Sequence, residues 1–390
     1  MVVLGGPLGD VRVAHFDPSA HRIVSASWDG TARVWDAAPS YRRWYSLPIA
    51  DECGVGTSLE PDRRFIAIGC SNHPTRVWDT TRELLLAELP SMPPDDGDFA
   101  PALPAVSVAG DRAAVARGNA VAVYELPGGA LLRTISHGAQ VTAVAFAGVG
   151  RDLVSGAADG SVLVTPDGGA EVALPLSAGG IDAAVLLPDG RVVVADARKR
   201  LHVYAGDHHA VLADLAVPTR VGLLRLSEDG RRVVTIPSYL GETAPPLLWD
   251  LERHRLVAEL SGHVGRVFSA RFVRGDREIL TAGGDGTACS WDATSGQLRA
   301  TYLGGSRYLA DAALTPDGSM VVAGGGDGLV RYWDATTARQ LWMMPAHRSA
   351  VIGIHFDGGD LVTRGNGGDV SRWTVPEAQG IVELSAAPAK

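Results

Sequence analysis

The sequence predicts an all-β chain assembled from repeated four-stranded units, and three observations predict it. The first is the density of chain breakers. There are 47 Gly and 23 Pro among 390 residues, about 18% of the chain, without the Gly every third residue that collagen needs. That spacing leaves little room for long helices and favours short strands joined by tight turns. The second is an internal repeat. SASWDGTARVWD (25–36), TAGGDGTACSWD (281–292) and AGGGDGLVRYWD (323–334) share a small-residue run, an Asp-Gly turn and a Trp six residues after the Asp. The third is the period. Weaker copies end at Trp78, Tyr124, Thr165, Tyr204, Trp249 and Trp373, so the unit ends from Trp35 through Trp291 and Trp333 to Trp373 are 39 to 46 residues apart. A period near 42 suits a four-stranded propeller blade, not the shorter helical repeats or the kelch unit of about fifty.

Each unit reads in the same order. An alternating segment such as Val267 to Phe272 makes the first strand, a. A turn rich in Pro, Asp and Gly follows, as at Pro61-Asp62-Arg63, Pro188-Asp189-Gly190 and Pro316-Asp317-Gly318, where Pro presets φ and Gly accepts φ > 0. A small and β-branched strand b comes next, then the Asp-Gly hairpin, then strand c ending in Trp. Strand d is shorter and more polar. Thr80 to Leu89 and Leu247 to Leu260 lack Gly and Pro and pass as helices on composition, but the period places strands there, and a lone helix would break a register held on both sides.

Nine units are counted over residues 1–390, and a single closed ring is favoured because no unit-sized gap or long linker separates two rings. A seven- or eight-blade ring with extra units is the alternative. The ends compete: Val2-Val3-Leu4 aligns with a d strand, while Gly380 to Leu384 reads as the d strand of the last unit. Either the N-terminal strand closes the ring, or the chain is cut from a longer array.

Composition bounds the partners. A net charge of −9 and a sequence pI of about 5.6 argue against a general attraction to nucleic acid. No window approaches eighteen apolar residues and no signal-peptide pattern opens the chain, so a membrane span is not expected. Cys53, Cys70 and Cys289 are odd in number and widely spaced, which fits a reducing cytoplasm and neither a disulfide framework nor a zinc site. The bias to Arg over Lys and to Ala reads as a GC-rich, bacterial genome.

These residues resemble the WD-repeat β-propeller family, whose units run from a Gly-His pair through an Asp-Gly turn to a closing Trp-Asp. The resemblance covers essentially the whole chain and is strongest from Gly262 to Asp334. It implies a hydrogen-bonded structural tetrad of His, Ser or Thr, turn Asp and Trp. Only one unit keeps all four, as His263, Thr281, Asp285 and Trp291. The unit closing at Trp373 retains His347 and Thr363 but lacks the Asp. The units ending at Tyr124, Thr165 and Tyr204 have lost the Trp-Asp pair.

No catalytic constellation stands out. GGGDG (324–328) has the composition of a phosphate loop, but no GK[ST] follows and it fills the hairpin slot. Gly206-Asp207-His208-His209 lacks a third metal ligand. His263 beside Asp285 is structural by the resemblance, and Cys289 is a small core residue. In WD-type blades the d-to-a and b-to-c loops open on one face, often called the top, that is commonly used for binding. There the late units offer Arg220, Arg266, Arg307 and Arg348, and the early ones Asp10, Asp51, Glu52, Asp95, Asp96 and Asp98, a basic arc facing an acidic one. Two insertions fall on the same face, Pro90 to Pro104 with Phe99 and Pro237 to Pro246 with Tyr239. Trp28 and Tyr308 complete a set of the aromatic and Arg types enriched in interface hot spots.

The expected function is a non-enzymatic, monomeric, cytoplasmic scaffold, without cofactor, that binds a protein or peptide on the top face. One alternative is the sensory or autoinhibitory propeller of a larger bacterial signalling protein, such as a STAND NTPase or Ser/Thr kinase. The other is a propeller hydrolase or lyase. That would need carboxylates or His converging on the inner ends of the first strands, where the sequence reads mainly Val, Ala and Leu.

Overall fold

The computed structural model describes residues 104–374, apart from 108, 148–149, 176, 178, 209, 239–242, 306–307 and 368, together with 11–16, 22–27, 31–36, 43–46, 57–58, 65–68, 74–79, 82, 84–90 and 382–385. For the strands before Phe65 and for 382–385, only backbone pairing is described.

Among the described residues there is no helix, and the strands form nine four-stranded antiparallel sheets. The first strands begin at Val11, Thr57, Ala105, Val141, Ile181, Val221, Val267, Leu309 and Val351. From the second sheet to the ninth, each packs on the next in chain order, the architecture of a β-propeller. Leu84–Leu89, Leu247–Asp250 and Arg255–Glu259 are strands, as the period requires. Helix propensity loses at the Asp250 turn, because the Asp250 carboxylate accepts from the N–H groups of Glu252 (3.0 Å) and Arg253 (2.8 Å) and ends the strand there.

The core lies between the sheets. Strands b and c are nearly all buried, as in Met320–Gly325 and Leu329–Asp334, whereas the fourth strands alternate, as in Leu298–Leu303. Seven apolar clusters fill the gaps between successive sheets from the second to the ninth.

First and ninth sheets break chain order. The fourth strand of the first sheet is Val382–Ser385, paired with Thr31–Asp36 from Thr31↔Ser385 to Val34↔Val382. The fourth strand of the ninth is Arg43–Ser46, paired with Val370–Thr374. This corrects the expectation that Gly380 to Leu384 supplies the last unit's d strand. An outer strand pairs through its backbone along one edge, so its side-chain pattern does not say which sheet it joins. Val2-Val3-Leu4 lies outside the described residues.

Candidate interaction face

A backbone device holds the d-to-a loops against the b-to-c hairpins. In the fourth to ninth sheets the residue just before the first strand accepts a hydrogen bond from a hairpin N–H of its own sheet: Ala158 to Gln140, Ala197 to Gly180, Ser238 to Arg220, Gly284 to Arg266, Gly326 to Tyr308 and Asn366 to Ala350, all at 2.7–2.9 Å. The first strand then bulges at its second residue, shifting register between Val141 and Ala143, Ile181 and Ala183, and Val267 and Ser269. A bulge re-aims one side chain, and here that side chain reaches the next unit. Thr142 donates to the Ile181 carbonyl at 2.5 Å, Asp182 grips Arg220, and Phe268 meets Tyr308 edge-on at 5.4 Å between centroids. Side-chain alternation alone does not reveal these links, because a bulge breaks the period of two.

The side-chain network beneath is complete in the seventh unit. Trp291 donates its indole N–H to Thr281 (2.9 Å), Thr281 contacts His263 Nε2 (2.8 Å), and His263 Nδ1 lies 3.1 Å from Asp285. Nδ1–H donating to Asp285 while Nε2 accepts from the Thr281 hydroxyl fits these contacts, a hydrogen placement assigned from the pattern. Burial pushes the Asp285 carboxyl up. Donation from the Thr287 hydroxyl, the Val264 N–H, His263 and the Thr287 N–H outweighs that and holds it below the ordinary carboxylate range.

The ninth unit carries the same network, which corrects the expectation that it lacks the Asp. Trp373 donates to Thr363 (2.8 Å), Thr363 contacts His347 Nε2 (2.8 Å), and Asp369 contacts His347 Nδ1. Asp369 stands four residues before Trp373, the place of Thr287, instead of six before it in the turn. Thr287 Oγ1 is itself 3.1 Å from His263 Nδ1, so both places reach the imidazole. The Thr165 unit retains a partial network: His137 contacts Ser155 (2.8 Å) and Ser161 (3.0 Å), and Ser161 donates to Asp159 (2.7 Å). Burial lowers the His137 pKa, with Asp159 and Glu171 opposing. The eighth unit has Ala323 in the Thr place, and Trp333 donates instead to the Leu303 carbonyl at 3.1 Å.

The predicted arginines are not equivalent. Arg220, Arg266 and Tyr308 share one loop position, and Arg348 stands two residues before the matching Ala350. Arg220 is held bidentately by Asp182, whose side chain is 8% exposed, which raises the guanidinium pKa further and makes it a tie between sheets. Arg266 is half-buried and Arg348 exposed. Arg307, Trp28, Phe99, Tyr239 and the acidic loop residues lie outside the described residues. Around the 283–287 hairpin the surface is apolar: Val264 is 87% exposed, Leu303 69% and Tyr308 36%. The Tyr308 ring lies against the 325–328 hairpin of its own unit, where a Cβ on Gly326 would come within 2.4 Å of it.

The inner strands are more polar than expected. Arg225, Arg271, Asp311 and His355 stand on them. Arg271 crosses to Asp311 (2.9 Å) and on to the Ile354 carbonyl (2.9 Å), and Asp311 also accepts from the N–H groups of Ala312 and Ile354. These bonds occupy the Asp311 carboxylate, so Arg271 and Asp311 tie three sheets together, and His355 beside them is 2% exposed. A cavity of about 1280 Å³ opens at the far ends of these strands, lined in successive units by Phe146, Leu186, Leu226, Phe272, Leu314 and Phe356. Among the described residues no His, Cys, Asp and Glu group has metal-ligand geometry. His208 contacts the Gly190 carbonyl (2.9 Å), and burial pushes the Cys289 thiol up.

The model for the WD domain, G-beta repeat, matches residues 2–36, 129–164, 254–292 and 296–334. The periodic tryptophan protein 2 homolog of Mus musculus is 32% identical over 77 residues, covering 20% of this chain and 8% of that protein, so the match spans a small part of the relative. Among solved structures, the computationally designed Ika8 protein is similar with a TM-score of 0.55 and 19% identity, over 95% of this chain and 98% of that one. That likeness concerns the fold alone.

Proposed function

We propose that this chain, which belongs to the WD-repeat family, is a non-enzymatic interaction platform whose top face binds a protein or peptide. The family supplies the class of activity, since one fold hosts many functions, and one observation carries the site. Val264, Leu303 and Tyr308 are exposed around a hairpin that the His263 network and the Phe268 contact hold rigid. Preformed apolar anchors beside Arg266 and Arg348 are what a partner needs at the centre of an interface. The His263–Asp285 pair serves stiffness, since its polar atoms face one another.

Affinity capture from a lysate of the source cell, with identification by mass spectrometry, tests the reading. Val264→Asp combined with Tyr308→Ala should abolish recovery of the captured partner. Leu256→Asp, on the outer strand Arg255–Glu259 at 40% exposure, should leave it intact. Equal recovery by both variants would remove the top face from consideration.

A further inference from the structure

We propose that the cavity at the ends of the inner strands, opposite the top face, binds an amphipathic anion: a small molecule with an apolar body and one carboxylate or phosphate head. The wall for the body repeats from unit to unit. Phe146, Leu186, Leu226, Phe272, Leu314 and Phe356 each stand at the end of a first strand or one residue before it, and all six line the cavity. Phe146 and Leu186 are buried, whereas Leu226, Phe272, Leu314 and Phe356 keep part of their surface open. Apolar surface gathered around a hollow is stabilised by an apolar body that displaces water from it. At about 1280 Å³ the space exceeds the ~300–1,000 Å³ of ordinary small-molecule sites, so it has room for a long chain or a fused ring system.

The head is called for by the arginines that precede two of these residues. Arg225 and Arg271 hold the same strand position in successive units, and both line the cavity. Arg271 is 7% exposed, yet every hydrogen bond it makes leaves from Nη2, to the two Asp311 oxygens (3.0 and 2.9 Å) and the Ile354 carbonyl (2.9 Å). Its Nε and Nη1 donate to no described residue. A guanidinium is a planar fork of donors that grips an oxyanion with two of them at once. Buried donors left over from such a fork are costly until an acceptor meets them. Asp311 does not turn to serve them, because its oxygens also accept from the N–H groups of Ala312 and Ile354. The rim carboxylates are engaged as well. Asp276 accepts from the Asp229 N–H, Glu278 pairs with Arg274 and Arg299, and Asp317 accepts from the Thr315 and Ser319 hydroxyls, while Glu228 is exposed. Charge complementarity at Arg225 and Arg271 therefore selects an anionic head, and the wall selects an apolar body.

Three probes separate head from body. Titration calorimetry of the full chain with decanoate should show saturable binding. Decyltrimethylammonium, with the same tail and the opposite charge, and butyrate, with the head and little body, should each bind at least about tenfold more weakly. Arg225→Met keeps the length of the side chain and the Arg271–Asp311 tie. It should weaken decanoate by about tenfold and leave decyltrimethylammonium unchanged. Phe272→Ser combined with Leu314→Ser should weaken both long-chain probes, and Leu226→Ser alone makes the same test if the double variant does not fold. Equal affinity for the anionic and cationic probes, or decanoate binding that Arg225→Met leaves unchanged, would overturn the anionic head. Absence of decanoate binding, or binding that survives intact in folded wall variants, would overturn the site itself.

Discussion

Asp285 and Asp369 reach the same kind of histidine nitrogen from opposite sides of a hairpin, and this equivalence is testable. Both carboxylates accept from an Nδ1–H whose imidazole is nearly out of solvent, the His347 side chain being 0% exposed and that of His263 2%. Removing one acceptor strands a buried donor, which costs about 1–3 kcal/mol. Asp369→Ala should therefore lower stability by that amount in a denaturant titration, and Asp369→Asn, which keeps an acceptor oxygen, by less; an unchanged midpoint for the alanine variant would show that the carboxylate contributes nothing. His355 offers a second test. Burial, then Arg271, then Arg372 push its pKa down to about 4, against pulls from Asp357 and Asp311. The folded pKa lies below the unfolded one of about 6.5, so the unfolded chain takes up the proton first. Stability is full above pH about 6.5 and falls as pH drops toward 4, by as much as about 3 kcal/mol. His355→Leu should flatten that part of the pH–stability curve relative to wild type, and parallel curves would show that another group carries the acid loss. His137, lowered by burial in the same sense, contributes equally to both proteins and cancels in the comparison.

At the scale of the element, strands and hairpins were legible because they have a period, and the links between units were not because they break it. Alternation and the Asp-Gly turns located strands such as Glu278–Gly283 and Thr287–Asp292, and the family tetrad located His263, Thr281, Asp285 and Trp291. Asp369 escaped because a two-residue displacement across a turn leaves the same atom beside the imidazole, an equivalence of space and not of alignment. The row of arginines failed for the converse reason. Arg220 and Arg348 look alike in sequence, yet only Arg220 stands where a bulged neighbour, Asp182, can take it. The buried Arg271–Asp311 pair gave no sequence signal at all, since its members are 40 residues apart on different sheets. The hairpin that seats Tyr308 gives the prediction proper to this scale. Gly326 lies against the Tyr308 ring, and Gly328 has φ of +79° with the His347 carbonyl 2.4 Å from any Cβ. Gly326→Ala should displace the tyrosine with a loss of about 1–2 kcal/mol and weaken partner capture. Gly328→Ala should cost more stability, because backbone cannot step aside and the conformation itself is strained. Equal losses would mean that the tyrosine ring is held as firmly as the backbone.

From the second sheet to the ninth the molecule is a chain of sheets in which each packs on the next, so stability there is close to a sum of sheet terms and interface terms. The interfaces over that span are apolar clusters, and four of the five largest fully buried aromatics, Trp291, Trp333, Tyr302 and Tyr332, lie in the seventh and eighth, the other being Tyr204 in the fifth. The face of the ninth turned away from the eighth carries charged side chains, and His355 Nε2 and Arg364 Nε are buried there without a hydrogen-bond partner. Backbone ladders of the exchanged outer strands join the first and ninth sheets, so opening should begin at that seam and spread inward, and protection against hydrogen exchange should be graded. Amides of Val11–Phe16, Arg22–Ser27 and Thr31–Asp36 should exchange fastest among the strands, those of Val351–Thr374 next, and those of Glu278–Asp292 and Met320–Asp334 slowest. Deleting residues 380–390 removes the strand paired with Thr31–Asp36 and frees a β edge able to recruit other chains. The deletion should accelerate exchange in the first sheet by a factor of ten or more, corresponding to a loss of about 1.4 kcal/mol, and leave the eighth sheet near its wild-type rates. Uniform acceleration across all sheets would mean that the ring opens only by global unfolding, with cooperativity spanning every interface and no seam weaker than the rest.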